Sequence, residues 1–529
     1  MAADTTPAVT AEAEKDAQIR RRVTRGVISN YAGQALAIGT WVLLTPFILA
    51  RLGPGTYGIW VLVGSVVGYG TLLDFGIGGA VIKYVAEYHA RGALDEARAL
   101  IATALRLYAG LGLLAALLAI VLAPLFPVLF RVPPQDSALA IQLVLLMGLT
   151  LGISLPCSTA SAVLCGLQRY DLVNIFTAFW TLASALGTVV VLLLGGGLLG
   201  MIAINLPITL VLQLALVRTL RRVAPELRFG WRGAERRLMR SVVSYSSSVF
   251  LIQAAGQLQT KTDEIVIGAM LPVSAITPYA LARRLSETAQ LVANQFMKVL
   301  LPLASELHAT DDRGRLRALY VLSTRLTLAI SLPIACALIF LARPLLTLWV
   351  GVAYAEGAQL VVILTIASVF VTSQWPAGHI LQGMARHRTL ALMALGNGIV
   401  NLALSIALAP RFGLTGVAFA TLIPAAIESL GFVLPYALRS VRVRPLEALR
   451  EIGIPTLIPA IPTALVVWKL SALVGAGGGI LAVIAVAAAG VIIYAVGYLA
   501  FPATKTERVA CRRLVAEAAR LAGAHLRRA

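Results

Sequence analysis

The sequence predicts an all-α polytopic membrane protein of about fourteen transmembrane helices: two six-helix lobes in parallel pseudo-two-fold repeat, plus a C-terminal helical hairpin. Three observations predict it: the composition, the placement of the cations, and an internal duplication. Of 529 residues, 59% are hydrophobic and 13% charged, with a mean hydropathy of +0.86. A soluble domain carries about 25% charged residues, so this chain cannot cover a water-facing surface, and soluble folds are excluded. The apolar residues also run continuously. Between Thr181 and Val217 only Asn205 and Gln213 are strongly polar, which is enough for two spans and a turn.

A helix needs roughly 20 apolar residues to cross the hydrocarbon core. That rule places span centres near residues 38, 70, 113, 149, 183, 208, 257, 288, 332, 367, 399, 424, 463 and 489. The chain then divides into an N-tail (1–25), an N-lobe (26–220) and a basic linker (221–240). A C-lobe (241–440), a hairpin (451–502) and a basic tail (503–529) follow. The N-tail is polar, so no cleavable signal peptide is expected before the first span.

Orientation follows from the 44 Lys and Arg residues. The odd-numbered connections carry only Arg51, Arg131, Arg343 and Arg411, whereas the even-numbered connections and both tails hold 35. By the positive-inside rule both termini are expected to be cytoplasmic. The net charge of +20 is therefore a topology signal, and a nucleic-acid partner is not expected. Cys157, Cys165, Cys336 and Cys511 form no CxxC pair, so neither a disulfide framework nor a zinc site is indicated.

The duplication has an offset near 219. Arg98-Ala99-Leu100 recurs as Arg317-Ala318-Leu319, Arg106-Leu107 as Arg325-Leu326, and Val85–His89 matches Ala304–His308. Leu164–Leu167 then parallels Leu381–Met384, and Gly197-Leu198-Leu199-Gly200 parallels Gly413-Leu414-Thr415-Gly416, with the offset drifting to 216. Six spans per repeat is an even number, so both halves enter the membrane in the same sense. In transporters built this way the substrate path runs between the repeats.

Polar groups inside spans mark candidate function, because a charge near the bilayer centre costs at least about 2.5–3.5 kcal/mol. Span 7 carries Gln253, Gln257, Lys261 and Glu264 on one helical face, with Asp263 beside them. Span 8 carries Arg283, Glu287, Gln290, Asn294 and Lys298 in helical register, widened by Arg284, Thr288 and Gln295. Asp263 precedes Pro272 by nine residues and Arg283 follows it by eleven, so both lie about 15 Å below the connecting turn, near the midplane. An Asp263–Arg283 or Glu264–Arg284 pair fits that depth, and the full line of polar groups predicts a water-filled cavity. The first repeat adds Asn30 and Gln34 on span 1, and Asp74 within Leu73–Gly79, whose glycines permit close helix approach or local unwinding.

Plainer readings stand beside these. Arg283 and Arg284 snorkel to the interface if span 8 begins later. Asp263 and Glu264 serve equally as structural partners of the arginines, Asp74 as a packing residue, and Lys298 as a marker of the inner membrane edge. Lys469 reads as an interface anchor. Trp41, Trp60, Trp349 and Trp375 read as belt or packing residues rather than a sugar platform. The chain has no GxxxxGK[ST] phosphate loop and no long external loop for a catalytic carboxylate pair, so a non-enzymatic secondary transporter or flippase remains.

Leu72–Gly78 followed by Tyr84–Tyr88, the Gly53–Gly58 turn, Thr262–Gly268 and the Gly-Leu-x-Gly segments resemble the polysaccharide-exporting, Wzx-type flippases. These belong to the multidrug/oligosaccharidyl-lipid/polysaccharide (MOP) superfamily, with the lipid II flippase MurJ and the MATE exporters. The resemblance covers roughly residues 25–440. It implies alternating-access export of a polyprenyl-diphosphate-linked oligosaccharide to the periplasmic leaflet, for cell-surface polysaccharide synthesis. On that footing Arg283, Arg284, Lys261 and Lys298 are the expected diphosphate contacts, since guanidinium suits bidentate phosphate binding. Gln257, Gln290 and Asn294 are the expected sugar contacts. Asp74, Asp263, Glu264 and Glu287, with Asn30, line the cavity or carry a coupling ion. No cofactor or metal is expected, and H+ and Na+ coupling both stay open. The expected partners are the lipid-linked substrate, membrane lipids, and polymerase or glycosyltransferases of the same pathway, around a monomer. Alternatives are a MATE-like cation-coupled multidrug exporter, a lipid II flippase, and a membrane scaffold for polysaccharide enzymes.

Overall fold

The computed structural model describes residues 6–227, 230, 236–474 and 478–500. Among them every regular element is helical. In order these are α1 (Thr6–Tyr69), α2 (Ile77–Arg91), α3 (Leu94–Leu129), α4 (Pro134–Gly166), α5 (Tyr170–Leu193), α6 (Gly197–Ala203) and α7 (Asn205–Val223). Next come α8 (Arg236–Met270), α9 (Ile276–Ala309), α10 (Arg313–Phe340), α11 (Ala342–Val350), α12 (Ala358–Gly383) and α13 (His387–Ala426). The last are α14 (Leu434–Val441), α15 (Pro445–Ala448), α16 (Ile454–Val474) and α17 (Ile480–Ala500).

Ten helical segments of the described residues are long and apolar enough to cross a membrane, against the fourteen expected. The difference has two physical sources. Leu36–Arg91 and Arg388–Val441 are continuous stretches of 56 and 54 residues, more than 80 Å at about 1.5 Å per residue, where a bilayer core is about 30 Å. Each is broken by a glycine outside the helical region, Gly53 (φ 76°) and Gly413 (φ 58°). In addition α8 and α9, the predicted spans 7 and 8, are absent from the ten; they carry the ionisable stripes.

The backbone repeats along with the sequence. Left-handed residues pair as Gly92 with Asp311, Arg131 with Gly351, Gln168 with Ala385 and Gly197 with Gly413, following the same drift from about 219 to 216. The repeated arginines also act alike. Arg98 Nε donates to the Glu226 carbonyl at 2.7 Å, and Arg317 Nη2 lies 3.2 Å from Glu451 and 3.4 Å from Glu447. Each grips the chain just after the sixth predicted span of its repeat.

The chain forms two compact units, Met1–Ala280 with Leu402–Val417, and Leu281–Asn401 with Ala418–Ala529. This packing division puts α8, which opens the second sequence repeat, in the first unit. The core of that unit gathers α2, α3, α4 and α7 around Val81, Leu100, Tyr108, Leu164 and Leu220. α3 and α4 approach backbone to backbone, because a Cβ on Gly152 would meet the Gly112 carbonyl oxygen at 2.7 Å. Gly152→Leu is expected to overpack this contact by about 1–3 kcal/mol and lower the thermal unfolding midpoint of the purified protein. An unchanged midpoint would contradict the packing.

In the second unit, α10, α12 and α14 share a core around Tyr320, Ile380 and Ala437. The hairpin α16–α17 closes over the end of α10 through Leu341, Val467 and Val483. Arg325, grouped by sequence with the loop cations, is instead 3% exposed, with its guanidinium 5.6 Å from the Tyr498 ring centroid on α17. Its repeat counterpart Arg106 is exposed.

Candidate functional site

In the first unit the polar face of α8 lies against the end of α1. Gln257 Nε2 donates to Thr71 Oγ1 at 3.0 Å, and the Tyr69 and Thr262 hydroxyls bond at 2.7 Å. The Lys261 stem runs past Gly68, whose missing side chain leaves its path open. Nearer the α8–α9 turn, Leu62 packs on Gly268, a Gly58 Cβ would collide with the Val273 carbonyl, and Thr277 Oγ1 donates to the Pro54 carbonyl at 2.7 Å. A continuous seam therefore joins the stretch from Pro54 to Thr71 to α8 and to the turn and first residues of α9 that follow it.

Gln253, Gln257 and Lys261 keep partial exposure, as a cavity-lining face requires. Asp263 and Glu264 do not: they are 1% and 4% exposed. Asp263 accepts a 2.6 Å hydrogen bond from the Tyr279 hydroxyl, tying α8 to the first turn of α9. The aqueous lining predicted for these two carboxylates is replaced by packing, with a tyrosine as Asp263's partner.

Asp74 ends a 3₁₀ turn, Gly70–Asp74, followed by left-handed Phe75 (φ 47°) and Gly76 (φ 75°). The helix is thus locally unwound here. Asp74 accepts a hydrogen bond from Tyr108 of α3, and Phe75 stacks on Phe250 of α8 at 4.8 Å. Asp74 therefore sits at a helix break with a tyrosine as its hydrogen-bond donor.

Two cavities lie within this unit. One, about 550 Å³, is walled by Val66, Leu73, Leu118, Leu151 and Leu258, with Tyr69 and Thr262 at its polar edge. The other, about 580 Å³, sets Trp41, Trp60 and Trp180 among the polar groups of Thr150, Ser154 and Asn205. Trp41 and Trp60 therefore line a partly open cavity.

In the second unit α9 carries a compact charge cluster. Arg283 Nε donates to Glu287 Oε1 at 3.2 Å, and Arg284 Nη1 lies 3.6 Å from Glu287 Oε2. The side chains are 14%, 55% and 36% exposed in the order Arg283, Arg284, Glu287. Two guanidiniums thus converge on one carboxylate, with Arg284 the more open. Gln290 Nε2 bonds Ser368 Oγ of α12 at 2.9 Å, so this expected sugar contact is engaged between helices, while Asn294 is exposed. The side chains of Asn30 and Lys298 lie outside the described residues.

One embedded carboxylate escapes the spacing argument. Glu428, 7% exposed, sits in a π-helical stretch, Ile427–Val433. It accepts from Asn397 Nδ2 at 2.6 Å and Gln374 Nε2 at 3.3 Å. It forms no stripe, but it is the only charged residue between Arg411 and Arg439, and that isolation is the signal that selects it.

Residues 48–359 match the profile of a family described as polysaccharide biosynthesis protein. The probable flippase AglR of Haloferax volcanii is 24% identical over 409 residues, spanning 73% of this chain and 78% of that protein. Among solved structures, the lipid II flippase MurJ in an inward closed conformation superposes with a TM-score of 0.67 at 15% identity, covering 89% of this chain and 97% of that one. An inward-facing multidrug resistance MATE family transporter of the MOP superfamily gives 0.69 at 12% identity, with 76% and 94% covered. The two structural likenesses show a fold shared with MurJ and the MATE transporter.

Proposed function

The chain belongs to the polysaccharide biosynthesis protein family, and from that premise we propose that it is a flippase for a polyprenyl-diphosphate-linked oligosaccharide. It carries this substrate from the cytoplasmic to the periplasmic leaflet by alternating access, for assembly of cell-surface polysaccharide. The observation that carries the reading is the Arg283–Glu287–Arg284 cluster on α9, the eighth span expected from the sequence. A diphosphate is strongly anionic, and guanidinium groups are the side chains best matched to its oxygens. Glu287 holds both in place until the headgroup competes for them. The probable-flippase description of the Haloferax relative supports the same class of substrate movement, and a transporter fold supports transport over catalysis.

The test is genetic and biochemical. Expression in a strain lacking its own oligosaccharide flippase is expected to restore surface polysaccharide. Loss of the gene in its native host is expected to accumulate the lipid-linked oligosaccharide. Unchanged surface glycan after gene loss, together with altered susceptibility to cationic drugs, would replace this reading with a drug exporter.

A further inference from the structure

The mechanism above uses the basic cluster of α9 and leaves Glu428 unexplained. A carboxylate removed from water persists only when paired, or when it can take up a proton and become neutral. Among the described residues Glu428 has no cationic partner; its hydrogen-bond partners are the two amides of Asn397 and Gln374. Both amides present N–H donors, which suit a carboxylate.

The neighbouring atoms also provide for the neutral acid. Gln374 Oε1 is buried and has no hydrogen-bond partner among the described residues. Amide orientation is an assignment that a half-turn reverses. Such a turn presents Oε1 to Glu428, where it would accept the O–H of a protonated carboxyl while Asn397 continues to donate. The cluster therefore has a hydrogen-bonding arrangement for each protonation state.

Position adds two further points. The π-helical stretch is a rare geometry that is frequent at functional sites, and Ser429 within it bonds Ser373 of α12 at 3.0 Å. The first repeat does without this group. At the matching offsets it carries Cys157 for Gln374, Trp180 or Thr181 for Asn397, and Leu212 for Glu428. A fold requirement shared by the repeats does not explain a carboxylate present in only one.

Other titratable or charged groups on the helices packed here are His379 on α12, His387, Arg388 and Arg411 on α13, and Tyr436 and Arg439 on α14. The His379 Nδ1 lies 2.9 Å from the Trp375 carbonyl, and the Tyr436 ring sits beneath Arg386. Among the described side chains none of these is a partner of Glu428, and that of His387 lies outside them.

We propose that Glu428 is a proton-binding site: its carboxylate takes a proton from water in one state of the transport cycle and returns it in another, with Asn397 and Gln374 exchanging hydrogen bonds to match. This rests on the flippase reading for its role in transport, but not for proton binding itself. The test uses the full-length protein in lipid nanodiscs, by infrared difference spectroscopy across a pH series, with the proton as probe. Wild type is expected to gain a protonated-carboxyl band on acidification; Glu428→Gln loses that band, and Glu428→Asp keeps one at a shifted pH. An identical band in Glu428→Gln, or a Glu428 carboxyl that does not titrate, overturns the proposal.

Complementation separates the two claims. With wild type active, Glu428→Gln at normal membrane level is expected to reduce surface glycan at least tenfold. Full activity of that variant removes Glu428 from coupling and leaves the flippase reading standing. Failure of wild type itself overturns the flippase reading, while the infrared band still decides the proton site.

Discussion

Alanine at both Arg283 and Arg284 is expected to abolish restoration of surface polysaccharide in a flippase-deficient strain, while the protein reaches the membrane at its usual level. A hydrogen bond to a charged group contributes about 1.5–3 kcal/mol. Losing one from each guanidinium therefore weakens headgroup binding by roughly two to four orders of magnitude. The remaining Glu287 adds to the loss, since its charge then repels the diphosphate. Arg283→Ala/Arg284→Ala/Glu287→Gln should recover part of the binding, and Arg284→Lys should fall between wild type and alanine because it keeps charge without the planar fork. Full complementation by the double alanine variant would remove these residues as anchors.

The second large effect belongs to the seam in the first unit. Leucine at Gly58 would drive its side chain into the Val273 carbonyl, and no rotamer avoids that collision because it begins at Cβ. Overpacking of about 1–3 kcal/mol is enough to hold α1 and α8 apart, and with the seam unable to close, export should fall about tenfold or more. A labelling experiment reads the same event. In a background free of Cys157, Cys165, Cys336 and Cys511, Thr262→Cys is expected to react with a membrane-impermeant maleimide from the outer face only when Gly58→Leu is also present. Thr262 is 3% exposed in the closed seam. Equal labelling with and without Gly58→Leu would show that the seam does not seal that face.

Much of this was legible in the residues. Composition and apolar runs suffice for a helical membrane protein, because the energetic demand of hydrocarbon on a backbone leaves few alternatives. The duplication was readable too, and the structure repeats it at left-handed positions such as Gln168 and Ala385. The glycine cluster near Asp74 marked a break that the 3₁₀ turn and Phe75 realise.

Partners were harder to read. Periodicity says which residues share a face, but not what covers it. Asp263 and Asp74 are held by Tyr279 and Tyr108, and tyrosine counts toward apolar runs although its hydroxyl supplies the hydrogen bond. Gln290 lay in a line that looked hydrated, and Ser368, from a helix far along the chain, occupies it instead. Glu428 was overlooked for the opposite reason, since a lone carboxylate makes no pattern.

The cation stacked beneath Tyr498 ties the fate of the two terminal helices to a single position upstream. Were the chain to stop near residue 445, Arg325 would be left against acyl chains with its aromatic cover gone, at a cost of at least about 2.5–3.5 kcal/mol. The hairpin is thus a cap on which the buried Arg325 of α10 depends. A shortened form should become viable only when an uncharged residue takes the place of Arg325.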